Sequence, residues 1–522
     1  MARVRLPISV VAAVLAVLGL PVAPAQAADR AGPGGRPYDG TVVATDSGRV
    51  RGSSQDGYRS FQGIPYAAPP VGDLRWRDPQ PVTAWSGVRP VSTPGSPCLQ
   101  STGTGLLGSE DCLYLNVTTP ARAAHRPVVV WLHGGGFSTG AGSDYDPHRM
   151  AVAGDVVVVT VNYRLGVLGG FGYPGLAGSG DFGLADQQAA LRWVRRNAAA
   201  FGGDPGNVTL AGQSAGGMSV CSQLTSPSAA GLFDKALIQS GSCLINYPDD
   251  LFFPGMSAGS PWTTRTAVEA AGSAFAGTVG CAGLDCLRQK PAADLLRADL
   301  AGPAHGGFAK PAYGTALLPE EPAAALRAGR FHRVPVLEGG NRDEHRGWAA
   351  ALNAGWTITA DRYRQLLTAA FGDRAAAVAA QYPVSAYPSP AVAWATVATD
   401  RIWSCPTLTG EQLMARHTRL YAYEFADRSA PLQPGSVPGF PYGAYHAAEL
   451  PYLFDLTGWP ITLTPEQQGL SREMIAAWSA FATTGRPWPR LRDPADTRLF
   501  APGEPGTVDL GTEHDCGFWS GF

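Results

Sequence analysis

Lysine is nearly missing from this chain. It stands only at 235, 290 and 310, and arginine carries almost all the positive charge, a bias of coding rather than of function. A basic run is also lacking. The 40 Lys and Arg balance 42 Asp and Glu, the formal net charge is −2, and both signs are scattered. Such a chain has no electrostatic footprint for nucleic acid, and no nucleic-acid partner is expected. No C-x-x-C pair or Cys/His cluster occurs, so the spacing that a zinc site needs is missing and no metal is expected. Repeats and low-complexity linkers are absent, and beyond the amino terminus no apolar stretch approaches membrane-spanning length.

The amino terminus itself is informative. Arg3 and Arg5 precede an apolar run from Leu6 to about Val22, and Ala25-Gln26-Ala27 supplies the small residues of a cleavage site. This is the pattern of a secretory signal peptide over residues 1–27. Pro7 and Pro21 interrupt the run, which is short for an anchor. The mature protein is expected to begin near Ala28, to be secreted and to keep no stable membrane anchor. Eight cysteines in an exported chain imply disulfides. Spacing alone does not fix the pairing. Cys281 with Cys286 and Cys98 with Cys112 would close short local loops, and Cys405 with Cys516 would tie the last segment to the body. Cys221 and Cys243 are then left, bonded to each other or free.

Residues 28–40 read as a flexible lead-in. Short alternating segments follow at Thr41–Ala44 and Arg49–Gly52, then a turn-rich Phe61–Trp76 and a strand candidate at Leu113–Val117. From there apolar β runs alternate with longer helical segments. The runs are Pro127–Leu132, Val156–Val161, Val208–Leu210, Ala236–Gln239, Val334–Leu337 and Leu420–Phe425. Between the second and third, Leu184, Leu191 and Val194 recur at helical spacing and Gly202-Gly203 ends the helix. Continuous apolar strands joined by helical crossovers predict an α/β fold with a mostly parallel sheet covered on both faces. Residues 246–330 and 346–400 read as helical insertions that wall a site at the carboxyl ends of the strands. The reading for 28–522 is one catalytic domain, since a single large sheet can span such a length.

The segment Asn207–Leu224 is the centre of that reading. Val208-Thr209-Leu210 is strand-like, Gly212-Gln213-Ser214-Ala215-Gly216 turns out of it, and Ala215–Leu224 suits a helix. A serine on such a turn presents its hydroxyl at the positive end of the following helix. The same G-x-S-x-G pattern at Gly136–Gly140 and Gly255–Gly259 lacks the strand before and helix after. A serine nucleophile needs a base, and the base needs an acid to fix its tautomer. Of the late histidines, His345 adjoins a carboxylate pair, His417 sits in a helical stretch and His514 lies beside Cys516. His446 occupies a loop, in FPYGAYHAAELPYLF, where a base can be held over the strand ends. Asp343 and Glu344 follow a strand end, and composition does not choose between them. The strand ending at His133 runs into Gly134-Gly135-Gly136, whose bare N–H groups, with that of Ala215, suit a developing oxyanion.

In order, FQGIPYAAPPVGDLRW, EDCLYLNV, HGGGF, VNYRLGVLG, FGLADQQAALRWV, FGGDPGNVTLAGQSAGG, GLFDKALIQSG and GAYHAAELPYLFD together resemble the type-B carboxylesterases, the cholinesterase-like branch of the α/β-hydrolases. The resemblance covers nearly the whole mature chain. It implies the α/β-hydrolase fold, with Ser214 as nucleophile, Glu344 as acid and His446 as base, and Gly135, Gly136 and Ala215 lining the oxyanion hole. It also implies structural ion pairs Arg75–Glu110 and Arg164–Asp186, and disulfides Cys98–Cys112, Cys281–Cys286 and Cys405–Cys516. Three departures stand out. His345 replaces the glycine usual after the acid, so a different local turn and a second titrating group are expected. The Cys98–Cys112 loop has no tryptophan to stack on a quaternary ammonium, and uncharged Gln213 precedes the serine where cholinesterases have glutamate. Cys221 and Cys243 lie outside the usual set; a bond between them would brace the nucleophile helix against the next strand.

The function expected is therefore that of a secreted serine carboxylesterase, cleaving small uncharged esters through an acyl-enzyme without a cofactor. Its activity falls as the base protonates. The alternatives are a lipase acting on longer-chain acylglycerols, which a long apolar lid would favour, and a catalytically inactive extracellular binding domain, which the complete set of candidate groups argues against.

Overall fold

The computed structural model describes residues 40–302 and 307–522, so the expected signal peptide lies outside the described residues. An 11-stranded mixed sheet organises the protein. Its strands in chain order are β1 (Ser53–Gln55), β2 (Tyr58–Pro65), β3 (Tyr114–Pro120), β4 (Arg126–Leu132), β5 (Val157–Val161) and β6 (Gly203–Gln213). They continue with β7 (Lys235–Gln239), β8 (Val336–Asn341), β9 (Leu420–Phe425), β10 (Thr497–Phe500) and β11 (Gly506–Val508). Across the sheet the order is β11-β10-β9-β8-β7-β6-β4-β5-β3-β2-β1. Every pairing from β5 through β4, β6, β7, β8 and β9 to β10 is parallel. Antiparallel strands close both edges.

The helices used below are α1 (Phe182–Asn197), α2 (Ala215–Thr225), α3 (Arg346–Gly355), α4 (Pro390–Ala398) and α5 (Pro465–Thr484). Side chains alternate along β4: Val128, Val130 and Leu132 enter the layer shared with α1 and α2, while Val129 and Trp131 enter the layer shared with α5. Burial on both faces explains why the sequence reads as unbroken apolar runs. In α1, Leu184, Leu191 and Val194 are buried as their spacing predicts, and the chain leaves through a turn at Ala198–Phe201 into left-handed Gly202. Helix α5 starts with a reciprocal cap. The Thr464 hydroxyl accepts from the Gln467 N–H, the Gln467 side chain accepts from the Thr464 N–H, and Pro465 occupies the first turn.

Three segments differ from the sequence reading. Phe61–Pro65, read as turn, belongs to β2, because neighbouring β3 supplies the ladder; a register shift between Phe61 and Ile64 absorbs the Gln62-Gly63 pair. Strand β8 continues past Leu337 to Asn341, carrying Glu338 and two glycines into the sheet interior between β7 and β9. Residues 246–262, read as the start of a helical insertion, contain no helix. They form turns closed by a Tyr247–Gly259 bridge, and helix begins at Arg265.

The implied ion pairs are present, Arg164–Asp186 buried and Arg75–Glu110 with its carboxylate partly exposed. Arg164 grips Asp186 with two guanidinium nitrogens, each at 2.8 Å. Arg75 meets both oxygens of Glu110 at 2.6 Å and donates to the carbonyls of Leu287, Arg288 and Lys290, which ties an insertion to the amino-terminal half. Four disulfides close the chain, Cys98–Cys112, Cys281–Cys286, Cys405–Cys516 and Cys221–Cys243, the last joining α2 to the segment after β7.

His514 has a role that its position in sequence does not suggest. It is buried between two carboxylates, with Nδ1 at 2.6 Å from Asp400 and Nε2 at 2.6 Å from Glu424. Burial alone would push its pKa down, but the two anions overcome this and raise it from 6.5 to about 10. An imidazolium therefore clamps the carboxyl-terminal segment to β9, beside the Cys405–Cys516 bond.

Two outcomes follow from these contacts. Denatured, unreduced protein should contain no titratable thiol; two would show Cys221 and Cys243 unpaired. Because the folded pKa of His514 lies above the unfolded value, its stabilisation is complete below pH ~6.5 and is lost as pH rises towards 10. His514→Gln should thus cost about 3 kcal/mol near neutral pH, and its unfolding midpoint should approach that of the parent protein as pH is raised to 10.

Candidate active site

The carboxyl ends of β4, β6 and β8 converge, as open parallel sheets require of a ligand site. β6 delivers Ser214 directly onto the first turn of α2. The serine adopts φ 56° and ψ −123°, a region costing a non-glycine residue roughly 1–3 kcal/mol. Its N–H donates to the Gln239 carbonyl at 2.9 Å, and its carbonyl accepts from the Met218 N–H at 2.9 Å, so both neighbouring elements hold the bend. Between Val208 and Leu224 every residue except Ser214 is buried. Gly216 allows the turn to press on β4, since a Cβ there would lie 2.0 Å from the Leu132 carbonyl oxygen. The other two G-x-S-x-G matches lead into a short turn at Gly142–Asp144 and into the helix-free stretch before Arg265.

The glycine triplet arches beside this elbow. A Cβ on Gly134 would stand 3.2 Å from the Ser214 Cβ, which measures how close the two turns come. Gly135 has φ 108°, and a Cβ on it would meet the Thr139 carbonyl oxygen at 2.1 Å. The Gly135 carbonyl accepts from the Ser138 and Thr139 N–H groups at 3.0 Å, closing the arch on itself. Among the described residues, the N–H groups of Gly135, Gly136 and Ala215 have no protein acceptor. His133 anchors the base of the arch: its ring stacks on Tyr163 with centroids 4.3 Å apart, and Nδ1 lies 2.8 Å from the Gly134 carbonyl. Burial pushes its pKa down to about 4, so it is neutral.

His446 and Glu344 meet from opposite loops. Nδ1 of His446 lies 2.5 Å from Glu344 Oε2, while Glu344 Oε1 accepts the Asn341 N–H at 2.8 Å. With the Nδ1 proton directed at the carboxylate, Nε2 is the accepting nitrogen, and it faces the Gln213 amide nitrogen at 3.2 Å, one residue from Ser214. The loop carrying His446 is bolted to the segment after β8. Asp343 exchanges backbone and side-chain bonds with Ala444, each at 3.0 Å, and the Asn341 side chain donates to the Tyr445 carbonyl at 2.7 Å. Asp343 turns away from the imidazole to Arg346 at 2.7 Å and Arg428 at 3.0 Å. Glu449, fully buried behind the pair, accepts from Asn341 at 2.6 Å; burial raises its pKa.

His345 is not the second titrating group expected there. It is completely buried, burial pushes its pKa down to about 3, and it stays neutral. Its backbone is right-handed helical, at φ −82° and ψ −3°, and caps α3, so the turn accommodates a side chain readily. His417 packs on Phe331, and His514 serves the clamp described above, so neither approaches Ser214. The sequence reading missed Trp348 and Trp403, whose rings lie 4.8 and 4.9 Å from that of His446. The one signal was Trp348 standing out in an alanine-rich insertion, with Trp403 just past its end; nothing in their spacing pairs them.

An imidazole held by a carboxylate, a half-buried serine on a strained turn and an arch of amides without protein acceptors are what acyl transfer uses. The carboxylesterase family's sequence profile matches residues 39–498. The para-nitrobenzyl esterase of Bacillus subtilis (strain 168) is 35% identical over 488 residues, covering 87% of this chain and 93% of its own. The fumonisin B1 esterase of Sphingopyxis macrogoltabida is 35% identical over 500 residues, covering 88% and 86%. Among solved structures, a Geobacillus stearothermophilus carboxylesterase superposes with a TM-score of 0.77 at 33% identity, over 91% of this chain and 99% of that one. The chain therefore belongs to the carboxylesterase family, a carboxylic ester hydrolase on the α/β-hydrolase fold.

Proposed function

We propose that the protein is a secreted serine carboxylesterase that cleaves small uncharged esters through an acyl-enzyme. The observation that carries this reading is the 2.5 Å contact between Glu344 and His446 Nδ1, which makes Nε2 the accepting nitrogen at the end of the strand bearing Ser214, where the Gln213 amide meets it at 3.2 Å. Ser214 Oγ attacks the ester carbonyl and Nε2 takes its proton, replacing the contact to Gln213. The N–H groups of Gly135, Gly136 and Ala215 stabilise the tetrahedral oxyanion. Collapse breaks the bond to the leaving oxygen, which takes the proton from His446 and departs as alcohol. Water, deprotonated by the same nitrogen, then attacks the acyl carbon; the acid leaves and Ser214 is regenerated. These steps need no cofactor.

Uncharged esters fit the site's polarity. The residue preceding the nucleophile is an amide, buried against the base, and the Cys98–Cys112 loop offers no tryptophan for a quaternary ammonium. Export is supported by the signal pattern over residues 1–27 and by four disulfides; among the described residues no helix is long and apolar enough to cross a membrane. Residues 28–522 are taken as one catalytic domain.

Ser214→Ala should lower ester turnover by about 10⁴-fold or more with the unfolding midpoint nearly unchanged; retained turnover would reassign the nucleophile. Glu344→Gln should reduce kcat far more than Asp343→Asn, which removes a loop anchor but no contact to the imidazole; the reverse ranking would exchange their roles. A chain-length series of p-nitrophenyl esters reads the substrate class. Hydrolysis peaking on short soluble esters is the expected result, a jump above the solubility limit would mean a lipase, and none in folded protein would mean a binding domain.

A further inference from the structure

The contact with Glu344 fixes one nitrogen of His446, and the Gln213 amide holds the other at 3.2 Å; once Nε2 leaves Gln213 to take the serine proton, the ring can swing about the Glu344 contact. Two indoles block the swing. Trp348 on α3 and Trp403, from the π-helical turn Thr399–Ser404, stack with centroids 5.4 Å apart and planes 10° from parallel. Both meet the His446 ring at an interplanar angle of 43°. What holds this wall in place is His345.

The His345 imidazole joins every piece of the wall. Nε2–H donates to the Phe252 carbonyl at 3.1 Å, and Nδ1 accepts from the Trp403 indole N–H at 3.5 Å. Those bonds use both ring nitrogens of a neutral imidazole and fix its tautomer. Its faces and edges pack on Phe252 at 5.0 Å, Trp348 at 5.3 Å and Trp394 of α4 at 5.1 Å. Its own N–H donates to the Thr399 hydroxyl at 3.0 Å, where the π-helical turn starts. One buried side chain thus links the loop after β7, α3, α4 and the π-helical turn around His446. A glycine or alanine at 345 would leave the Trp403 indole and the Phe252 carbonyl without these partners and open a space behind both.

We infer that His345 is a positioning residue for ester hydrolysis: it clamps the Trp348–Trp403 wall against His446 and so keeps the base in line between Glu344 and Ser214. This rests on His446 being the base. A base displaced by a fraction of an ångström still lets substrate bind but transfers the proton less often, so the loss should fall on kcat.

The test is steady-state hydrolysis of p-nitrophenyl acetate by the full mature chain, with active sites counted by phosphonate labelling and the unfolding midpoint recorded for each variant. His345→Ala should lower kcat by about ten- to a hundredfold. KM should stay within about twofold. His345→Gln, whose amide can donate to the Phe252 carbonyl and accept from Trp403, should recover most of the loss. Trp403→Phe, which keeps a ring but removes the indole N–H, should lower kcat in the same direction. The double variant His345→Ala/Trp403→Phe should lose less than the product of the single losses, because both act through one contact. The inference is overturned by parental kcat in folded His345→Ala, by a loss that glutamine does not recover, or by losses that multiply in the double variant. If His345→Ala does not fold, Trp403→Phe and His345→Gln decide alone: parental kcat in the first or a full loss in the second overturns it. His446→Asn run alongside separates the premises, since parental turnover there would remove the base itself, whatever His345 does.

Discussion

Everything at this site depends on how closely backbone approaches backbone where β6 turns into α2. Gly216 lies so near the end of β4 that no side chain fits between them, and Gly212 is equally hemmed in by Gly216. That approach sets the serine turn beside the glycine arch. The strain at Ser214 is sustained by hydrogen bonds to the Gln239 and Met218 backbones, and the Cys221–Cys243 bond fixes the same helix to the segment beyond β7. The amides of the arch are thereby held in one orientation by the fold itself.

Around this centre, buried ions do the work of joining distant segments. Arg164–Asp186 locks the chain after β5 to α1, and Arg75–Glu110 reaches three carbonyls of an insertion. His514 joins the last residues to β9 and to the π-helical turn that carries Trp403. Arg75 and His514 each meet partners on more than one side, and Asp186 takes both the backbone N–H and the guanidinium of Arg164, which offsets the cost of charge inside a low-dielectric interior. The same turn therefore stands between the carboxyl-terminal clamp and the wall beside His446.

The two adjacent carboxylates after β8 divide their labour by direction. Glu344 faces the imidazole, and Asp343 faces two arginines and the backbone of the histidine loop. The next residue, His345, extends the arrangement by gripping aromatic side chains from four segments. Three consecutive residues thus meet His446, its loop and its surroundings.

The sequence by itself determined the parallel strands, the helix after β5, the serine turn and the glycine arch, because each is written in local periodicity or in glycine at a tight bend. The resemblance added the disulfides and ion pairs of the family. Tertiary structure alone decided what depends on neighbours. β2 is a strand because β3 pairs with it, despite Gln62-Gly63, and β8 carries Glu338 into the sheet because strands flank it on both sides. Residues 246–262, read with the helical insertion that follows them, stay irregular, as Pro248, Pro254, Pro261 and the Tyr247–Gly259 bridge require. Which carboxylate faces His446, and that His514 is a buried cation and His345 a neutral brace, are consequences of where remote segments meet. Ring orientation and burial are properties of that meeting, and no residue spacing encodes them.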